Sequence, residues 1–192
     1  MPMRPGSSNL QKVTDDRPAT DERHPADVVT GMVNHVLDLA GTWHNWDLNP
    51  IEVAVEGQTP HIYTPHKALR RIADHLVDHL AELEARLAGR RTEPSRWHAS
   101  NITTPADLAP FTQEDYDEAR SRLRRLALIW DVQLRALTDD ELDADDGHAW
   151  TLRQVAFRVA ESAFYGDSVG YLTPPVGQLE TPSPSKLGQS VE

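Results

Sequence analysis

The segment TPHKALRRIADHLVDHLAELEARL, Thr64 to Leu87, determines the fold more clearly than any other part of the chain. Thr64 followed by Pro65 is a typical helix start, because a threonine hydroxyl can cap free amide groups and proline suits the first helical position. Apolar residues then recur every three or four positions, as one face of an amphipathic helix requires; they are Leu69, Ile72, Leu76, Leu80, Leu83 and Leu87. We therefore predict a long helix that ends before Gly89.

Three further segments have the same helical periodicity. The first runs from about Pro25 to Trp46, the third from Thr112 to Leu137, and the fourth from Trp150 to about Leu172. In the fourth segment, Thr151 and Gln154 have the spacing of a capping box. Four amphipathic helices of about twenty residues predict an all-α protein with four-helix-bundle architecture.

Composition separates this helical part from both ends of the chain. Residues 1–24 and 173–192 are rich in polar residues, proline and glycine and contain few apolar side chains. Such segments bury too little apolar surface to offset the entropy of ordering. We therefore predict one four-helix-bundle domain over residues 25–172 with a disordered tail on each side. Residues 51–55 alternate in polarity, but Pro50 and Gly57 bound them so closely that no strand is predicted.

The chain has 192 residues, a formal net charge of -11 and no cysteine. Nucleic acid and anionic membranes need a basic surface, so neither is an expected partner. Disulfides, thiolate metal sites and cysteine nucleophiles are excluded. No segment approaches the ~20 apolar residues of a membrane span, and residues 1–24 contain no signal-peptide core, so we expect a cytoplasmic protein. The acidic residues 139–146 lack the spacing of a calcium loop and are expected to form a solvated linker.

His75 and His79 are one helical turn apart on the second predicted helix, so both imidazoles lie on the same side of it. At ~100° per residue, both fall at one edge of the apolar stripe, where a bundle forms a cleft between neighbouring helices. Arg158, Ser162 and Tyr165 occupy the corresponding edge of the fourth helix. These five residues predict a ligand site between the second and fourth helices.

Two segments resemble the signatures of the DinB-like (DinB/YfiT) four-helix-bundle superfamily. WTLRQVAFRVAES, Trp150 to Ser162, is similar to a helix in which a Trp-Thr-x-Arg run precedes a histidine ligand. TPHKALRRIADHLVDH, Thr64 to His79, resembles a helix that ends in His-x-x-x-His. Members of this superfamily bind a divalent metal through three side chains, and the characterised enzymes include thiol-dependent transferases and isomerases. The resemblance implies that His75 and His79 hold a zinc or nickel ion and that a small thiol takes part in the reaction.

The chain departs from this pattern at two points. The two motifs occur in reverse order, and Arg158 occupies the position of a histidine ligand. Arginine has no lone pair to offer a cation. A three-ligand site would therefore need another donor, for which the candidates are His35, His44 and Glu161.

Arg158 leaves three interpretations open. It could hold two helices together by pairing with Asp74 or Asp78, it could bind the carboxylate or phosphate of a small ligand together with His75 and His79, or a metal could still bind nearby. The two functions expected are therefore a metal-assisted transferase acting with a low-molecular-weight thiol and a non-catalytic protein that binds an anionic small molecule or takes part in an interaction. A homodimer is one option for its assembly.

Overall fold

The computed structural model describes residues 22–54, 59–94, 96, 101–145 and 147–173. The helices are α1 (Pro25–Ala40), α2 (Pro65–Leu87), α3 (Gln113–Arg135), α4 (Asp139–Leu142), α5 (Leu152–Ala160) and α6 (Ala163–Val169). Two short 3-10 helices, Trp43–Asn45 and Pro105–Leu108, and two strands, β1 (Ile51–Val53) and β2 (His61–Tyr63), complete the described elements. The predicted all-α class is confirmed in that helices dominate. The predicted tails lie almost wholly outside the described residues.

The starts of the long helices follow from local side-chain chemistry. Thr64 caps α2 by accepting a hydrogen bond from an amide of the first turn, and proline follows at the first helical position. Thr112 and Asp115 form a capping box at α3, and Thr151 and Gln154 form another at α5. The predicted capping box of the fourth segment is therefore present.

Helix α1 ends at Ala40, so the predicted extension to Trp46 is wrong. The hydroxyl of Thr42 donates to the carbonyl of Leu39 at 2.7 Å, which offers the backbone an alternative to continued α-helix. The same hydroxyl oxygen accepts a hydrogen bond from the amide of Leu172 at 3.1 Å. The turn after α1 thus holds the segment that follows α6.

The predicted fourth helix is divided in two by Glu161 and Ser162. At this point the amide of Ser162 donates to the carbonyl of Val159 at 3.0 Å, which is the tighter i to i−3 pattern of a 3-10 turn. Helix α6 then packs closely on α1, because a Cβ atom at Gly166 would lie 3.2 Å from a methyl group of Val36. Glycine permits this close approach without displacing α1.

Strands β1 and β2 form an antiparallel pair that the sequence did not predict. Ile51 lies opposite Tyr63, and Val53 lies opposite His61. The pairing places Tyr63, which is buried, directly before the start of α2. The strands therefore bring an aromatic side chain to the first turn of this helix.

The acidic segment expected to form a solvated linker exposes its described acidic residues, but it also contains the one-turn helix α4. Thr138 and Glu141 form a capping box at its start, and Leu142 is fully buried at its end. Arg153 binds both Asp139 and Asp143 at 2.7 Å, which fixes the helix to α5. One turn of helix forms because capping, an apolar anchor and ion pairs act together.

Helices α1 and α2 each pack against α3, α5 and α6. Apolar side chains from these helices form most of the core, and its largest fully buried members are Trp130 on α3 and Trp43 in the 3-10 helix after α1. The indole Nε1 of Trp130 donates to the carbonyl of Leu76 at 3.1 Å, which joins α3 to α2. Helix α2 therefore meets α3 on one side and α5 and α6 on the other, and we call these two junctions the α3 groove and the α5–α6 groove. No helix in the described segments is long and apolar enough to cross a bilayer.

Candidate functional site

One face of α2 carries a row of cationic and imidazole side chains, which we call the cationic row. Lys67, Arg71, His75 and His79 follow one another at intervals of four residues, and Arg86 lies two turns further on. Side chains four apart on a helix are neighbours, so the row is continuous in space. Lys67 and Arg71 are each only 1% exposed. Burying a charged side chain costs free energy unless polar or charged partners compensate it. The contacts of both side chains with the surrounding fold are therefore important.

Arg71 lies below the ring of Tyr165 and beside a carboxylate of its own helix. Its Nη1 atom is 2.9 Å from Oδ2 of Asp74, and its guanidinium carbon is 5.5 Å from the ring centre of Tyr165. The aromatic face and the carboxylate together compensate part of the cost of burying the charge. Arg71 is therefore held in a fixed position, and Asp74 balances much of its charge.

Lys67 begins the row next to β2. Its Nζ atom donates to Oγ1 of Thr103 at 3.0 Å and lies 5.4 Å from the ring centre of Tyr63. Burial lowers the pKa of Lys67, although the charge of Asp107 opposes this effect.

The two imidazoles are oriented through their Nδ1 atoms. Nδ1 of His75 lies 3.0 Å from the carbonyl oxygen of Arg71, and Nδ1 of His79 lies 2.9 Å from Oε2 of Glu82. Both partners are acceptors, so each Nδ1 carries a hydrogen, and Nε2 of the neutral ring carries the lone pair. The ring centres are 6.1 Å apart. The structure therefore places the two predicted ligand side chains side by side.

The surroundings of His75 disfavour a positive charge on its ring. Burial lowers its pKa from 6.5 to about 4, and the positive charges of Arg71, His79 and Arg158 act in the same direction, while the hydrogen bond to the backbone opposes them. His75 is therefore neutral at physiological pH. In contrast, the hydrogen bond from His79 holds the pKa of Glu82 below its usual value.

Tyr165 forms the opposite wall of the groove on α6. Its ring centre is 5.3 Å from that of His75 and 5.6 Å from that of Tyr63. Phe164 lies next to it, with its ring centre 6.0 Å from Tyr63, and remains exposed. The predicted proximity of Tyr165 to the imidazole pair is thus seen in the structure.

Arg158 lies on α5, and its charge acts on His75 across the same groove. It pairs with Glu161, one turn along its own segment, and its guanidinium carbon is 5.6 Å from the ring centre of Trp150. Of the three interpretations of Arg158, the structural ion pair is seen in part, but its partner is Glu161 on the same segment and neither Asp74 nor Asp78. The side chain of Arg158 is 52% exposed, so its guanidinium is accessible from solvent.

Ser162 faces a different neighbour. It is buried, and its hydroxyl lies 3.9 Å from the sulfur of Met32 on α1. The structure therefore does not bring Ser162 to the cationic row, and its predicted role in binding stays a prediction.

The three candidates for a further metal donor are engaged or exposed elsewhere. Nε2 of His35 lies 2.6 Å from Oδ1 of Asp167 on α6, Glu161 pairs with Arg158, and His44 is exposed in the turn after α1. Among the residues that the structure describes, no three histidine or carboxylate side chains are grouped so that they could hold a metal ion.

Arg71 and Glu82 were not predicted as site residues, although the spacing of each from a histidine was a detectable signal. Arg71 precedes His75 by four residues, and Glu82 follows His79 by three, so both positions share a helix face with the imidazoles. Tyr63 had no such signal, because a strand pairing brings it to the groove.

No protein-family model, curated protein or solved structure matches this chain. The resemblance to the DinB-like superfamily accordingly rests on the two motifs.

Proposed function

We propose that the groove between α2 and the α5–α6 segment binds a small anionic molecule. The observation that carries this proposal is the cationic row, reinforced by Arg158 from the other wall. The protein as a whole has a net charge of -11, so positive charge gathered at one groove is a local feature. Arg71, Arg86 and Arg158 are each paired with a carboxylate, so attraction of an anion depends on exchange at the exposed pair of Arg158.

Arg158 is the side chain best suited to contact the ligand. Its pair with Glu161 is exposed, and such pairs contribute little to stability, so a ligand carboxylate or phosphate can replace Glu161 at small cost. A guanidinium binds either group through two parallel hydrogen bonds. Trp150 supplies aromatic surface next to this guanidinium, and Phe164 and Tyr165 supply more on α6. Arg71 is buried and acts on the bound anion through its charge.

We also propose that the chain is a DinB-like four-helix bundle in which α5 and α6 together form the fourth helix. Two observations support this assignment. The motif segments lie on α2 and on α5, and α1 and α2 each pack against α3 and the α5–α6 segment. The reversed motif order is a departure from the superfamily pattern.

A second candidate function is the metal-assisted transfer to or from a small thiol. It is favoured by the Nδ1 hydrogen bonds of His75 and His79, because metal-binding histidines commonly donate their other ring N–H to a carbonyl or carboxylate. A bound ion would lower the pKa of a thiol or of water. We rank it second because Arg71 and Arg158 bring positive charge to the same place, which opposes a divalent cation.

Isothermal titration calorimetry with inorganic phosphate and with benzoate tests the proposed function. We expect the wild type to bind at least one of these probes, with weaker binding at high salt. Arg158→Ala should weaken binding about tenfold or more, whereas Arg124→Ala removes the same charge from an exposed position of α3 and should change it little. Equal effects of the two substitutions would show that only net charge matters.

A further inference from the structure

The groove between α2 and α3 is a second concave site, on a different face of α2 from the cationic row. It encloses a volume of ≈ 240 Å³ and is open to solvent. Its floor is apolar and is formed by Leu69, Ala73, Phe111, Ala119 and Leu123. Since two of these side chains are only methyl groups, the two helices leave room between them. An apolar floor with a few polar groups above it is typical of small-molecule sites.

One ion pair at the rim of this groove is already fully engaged. Arg70 donates to both carboxylate oxygens of Asp107, at 3.1 and 2.7 Å, and Thr104 donates to the same carboxylate from its amide and hydroxyl. Asp107 is 2% exposed. These two charges cancel each other and are part of the wall, so they do not select a ligand.

The remaining charges at the rim are negative in sum. Asp115 uses Oδ2 to accept hydrogen bonds from the amide and hydroxyl of Thr112, at 2.8 and 2.7 Å, and its Oδ1 accepts none within the described residues. Glu118 pairs with Arg122 at 2.7 Å, but both side chains are mostly exposed, and such a pair is readily exchanged. The two carboxylates of Asp115 and Glu118 are therefore balanced by one guanidinium, that of Arg122. Oδ1 of Asp115 is available to a ligand.

His66 adds another acceptor at the same rim. Its Nε2 atom lies 3.2 Å from the carbonyl oxygen of Pro110 and 3.8 Å from Oδ2 of Asp115, so Nε2 carries the hydrogen and Nδ1 of the neutral ring is an acceptor. The acceptors of Asp115 and His66 match a ligand that donates hydrogen bonds.

We propose that this groove binds a small organic cation, an ammonium group on a short aromatic or aliphatic body. The ammonium group would bind Asp115 and Glu118, and the apolar body would lie on the floor next to Phe111. The volume is below the roughly 300 Å³ at which sites for drug-sized ligands begin. A small ligand therefore fits the groove better than a nucleotide or another large cofactor does.

Titration with phenethylamine, followed by calorimetry or amide chemical shifts, tests the proposal on the full chain. Phenethyl alcohol and hydrocinnamate have nearly the same shape but are neutral and anionic, respectively. We expect phenethylamine to bind with a Kd of about 1 mM or tighter, and the other two probes to bind at least about fivefold more weakly. Equal affinity for all three probes, or no binding of phenethylamine at ten times that concentration, would overturn the proposal.

Two substitutions locate the site. Asp115→Asn should weaken phenethylamine binding about fivefold to tenfold, whereas Asp117→Asn removes the same charge from an exposed position of α3 outside the groove and should leave affinity unchanged. Ala119→Leu should abolish binding because the larger side chain fills the floor of the groove. This variant leaves every rim charge in place, so it tests the site even if Asp115→Asn disrupts the capping box of α3. Unchanged affinity in Ala119→Leu would place the probe elsewhere and contradict the proposal.

Discussion

Nδ1 of His79 donates a hydrogen bond to Glu82 at 2.9 Å, and this contact links the imidazole pair to the end of the cationic row. The other carboxylate oxygen of Glu82 lies 3.7 Å from Nη1 of Arg86, whose side chain is buried. Glu82 therefore serves two neighbours at once. It is the carboxylate that limits the positive charge at this end of the groove.

Replacing Glu82 by glutamine should destabilise the fold and strengthen anion binding. The substitution removes the negative charge between His79 and Arg86, and the loss of a charged hydrogen-bond partner at a partly buried site costs about 1–3 kcal/mol. Urea denaturation measures the first effect and phosphate titration the second. The matched control is Glu84→Gln, an exposed position on the same helix turn. Indistinguishable behaviour of the two variants would show that Glu82 has no special electrostatic role.

His75 should make stability fall on acidification. Its folded pKa is about 4 and its unfolded value is 6.5, so the unfolded chain binds more protons between these two values. The contribution of His75 is fully present above pH 6.5 and is lost as pH falls towards 4, with a slope of up to about 1.4 kcal/mol per pH unit.

The variant His75→Gln isolates this contribution from the other groups that titrate in acid. Glutamine keeps a donor near the carbonyl of Arg71 but cannot be protonated. The free energy of unfolding of the variant should fall less steeply than that of the wild type between pH 6.5 and 4. His44→Gln, at an exposed site, should follow the wild type. If the free energy of unfolding fell equally steeply with pH in His75→Gln and the wild type, burial of His75 would not be a cause of the acid sensitivity.

Asp107 should be one of the most sensitive polar positions in the chain. Burial alone would raise its pKa, but the hydrogen bonds from Arg70 and Thr104 outweigh burial and lower it. Asp107→Ala leaves Arg70 without its carboxylate and removes a helix cap, so we expect a loss of about 3–5 kcal/mol. Thermal and urea denaturation measure the loss. A change below about 1 kcal/mol would mean that solvent replaces the carboxylate without difficulty.

Helix α2 and the start of α3 could be predicted from sequence because their signals are local. Thr64-Pro65, the leucine spacing and the Thr112 cap act within one or two helical turns. The break at Glu161 and Ser162 could not, since the apolar spacing continues through it. It coincides with tertiary contacts, namely Ser162 on Met32 and the close approach of Gly166 to α1.

For the candidate site too, local spacing could be predicted from sequence and tertiary contacts could not. The helical wheel brought His75, His79 and Arg158 to a shared groove edge from spacing alone. The partner of Arg158 depends on three-dimensional distances, because several carboxylates on two helices compete for one guanidinium. Glu161 is the partner in the structure, and its spacing of three residues from Arg158 on the predicted helix was a local signal for this pair.

The substitution Arg158→His tests most directly the claim that this residue selects an anion over a metal ion. It places a neutral imidazole donor opposite His75 and His79 and removes a positive charge from the groove. Calorimetric titrations of both proteins with phosphate and with Zn²⁺ give the answer. The account predicts that the wild type binds phosphate and negligible Zn²⁺, and that Arg158→His loses about tenfold in phosphate affinity while gaining at least as much for Zn²⁺. Stoichiometric, tight Zn²⁺ binding by the wild type would contradict the account and favour the metal-assisted transferase.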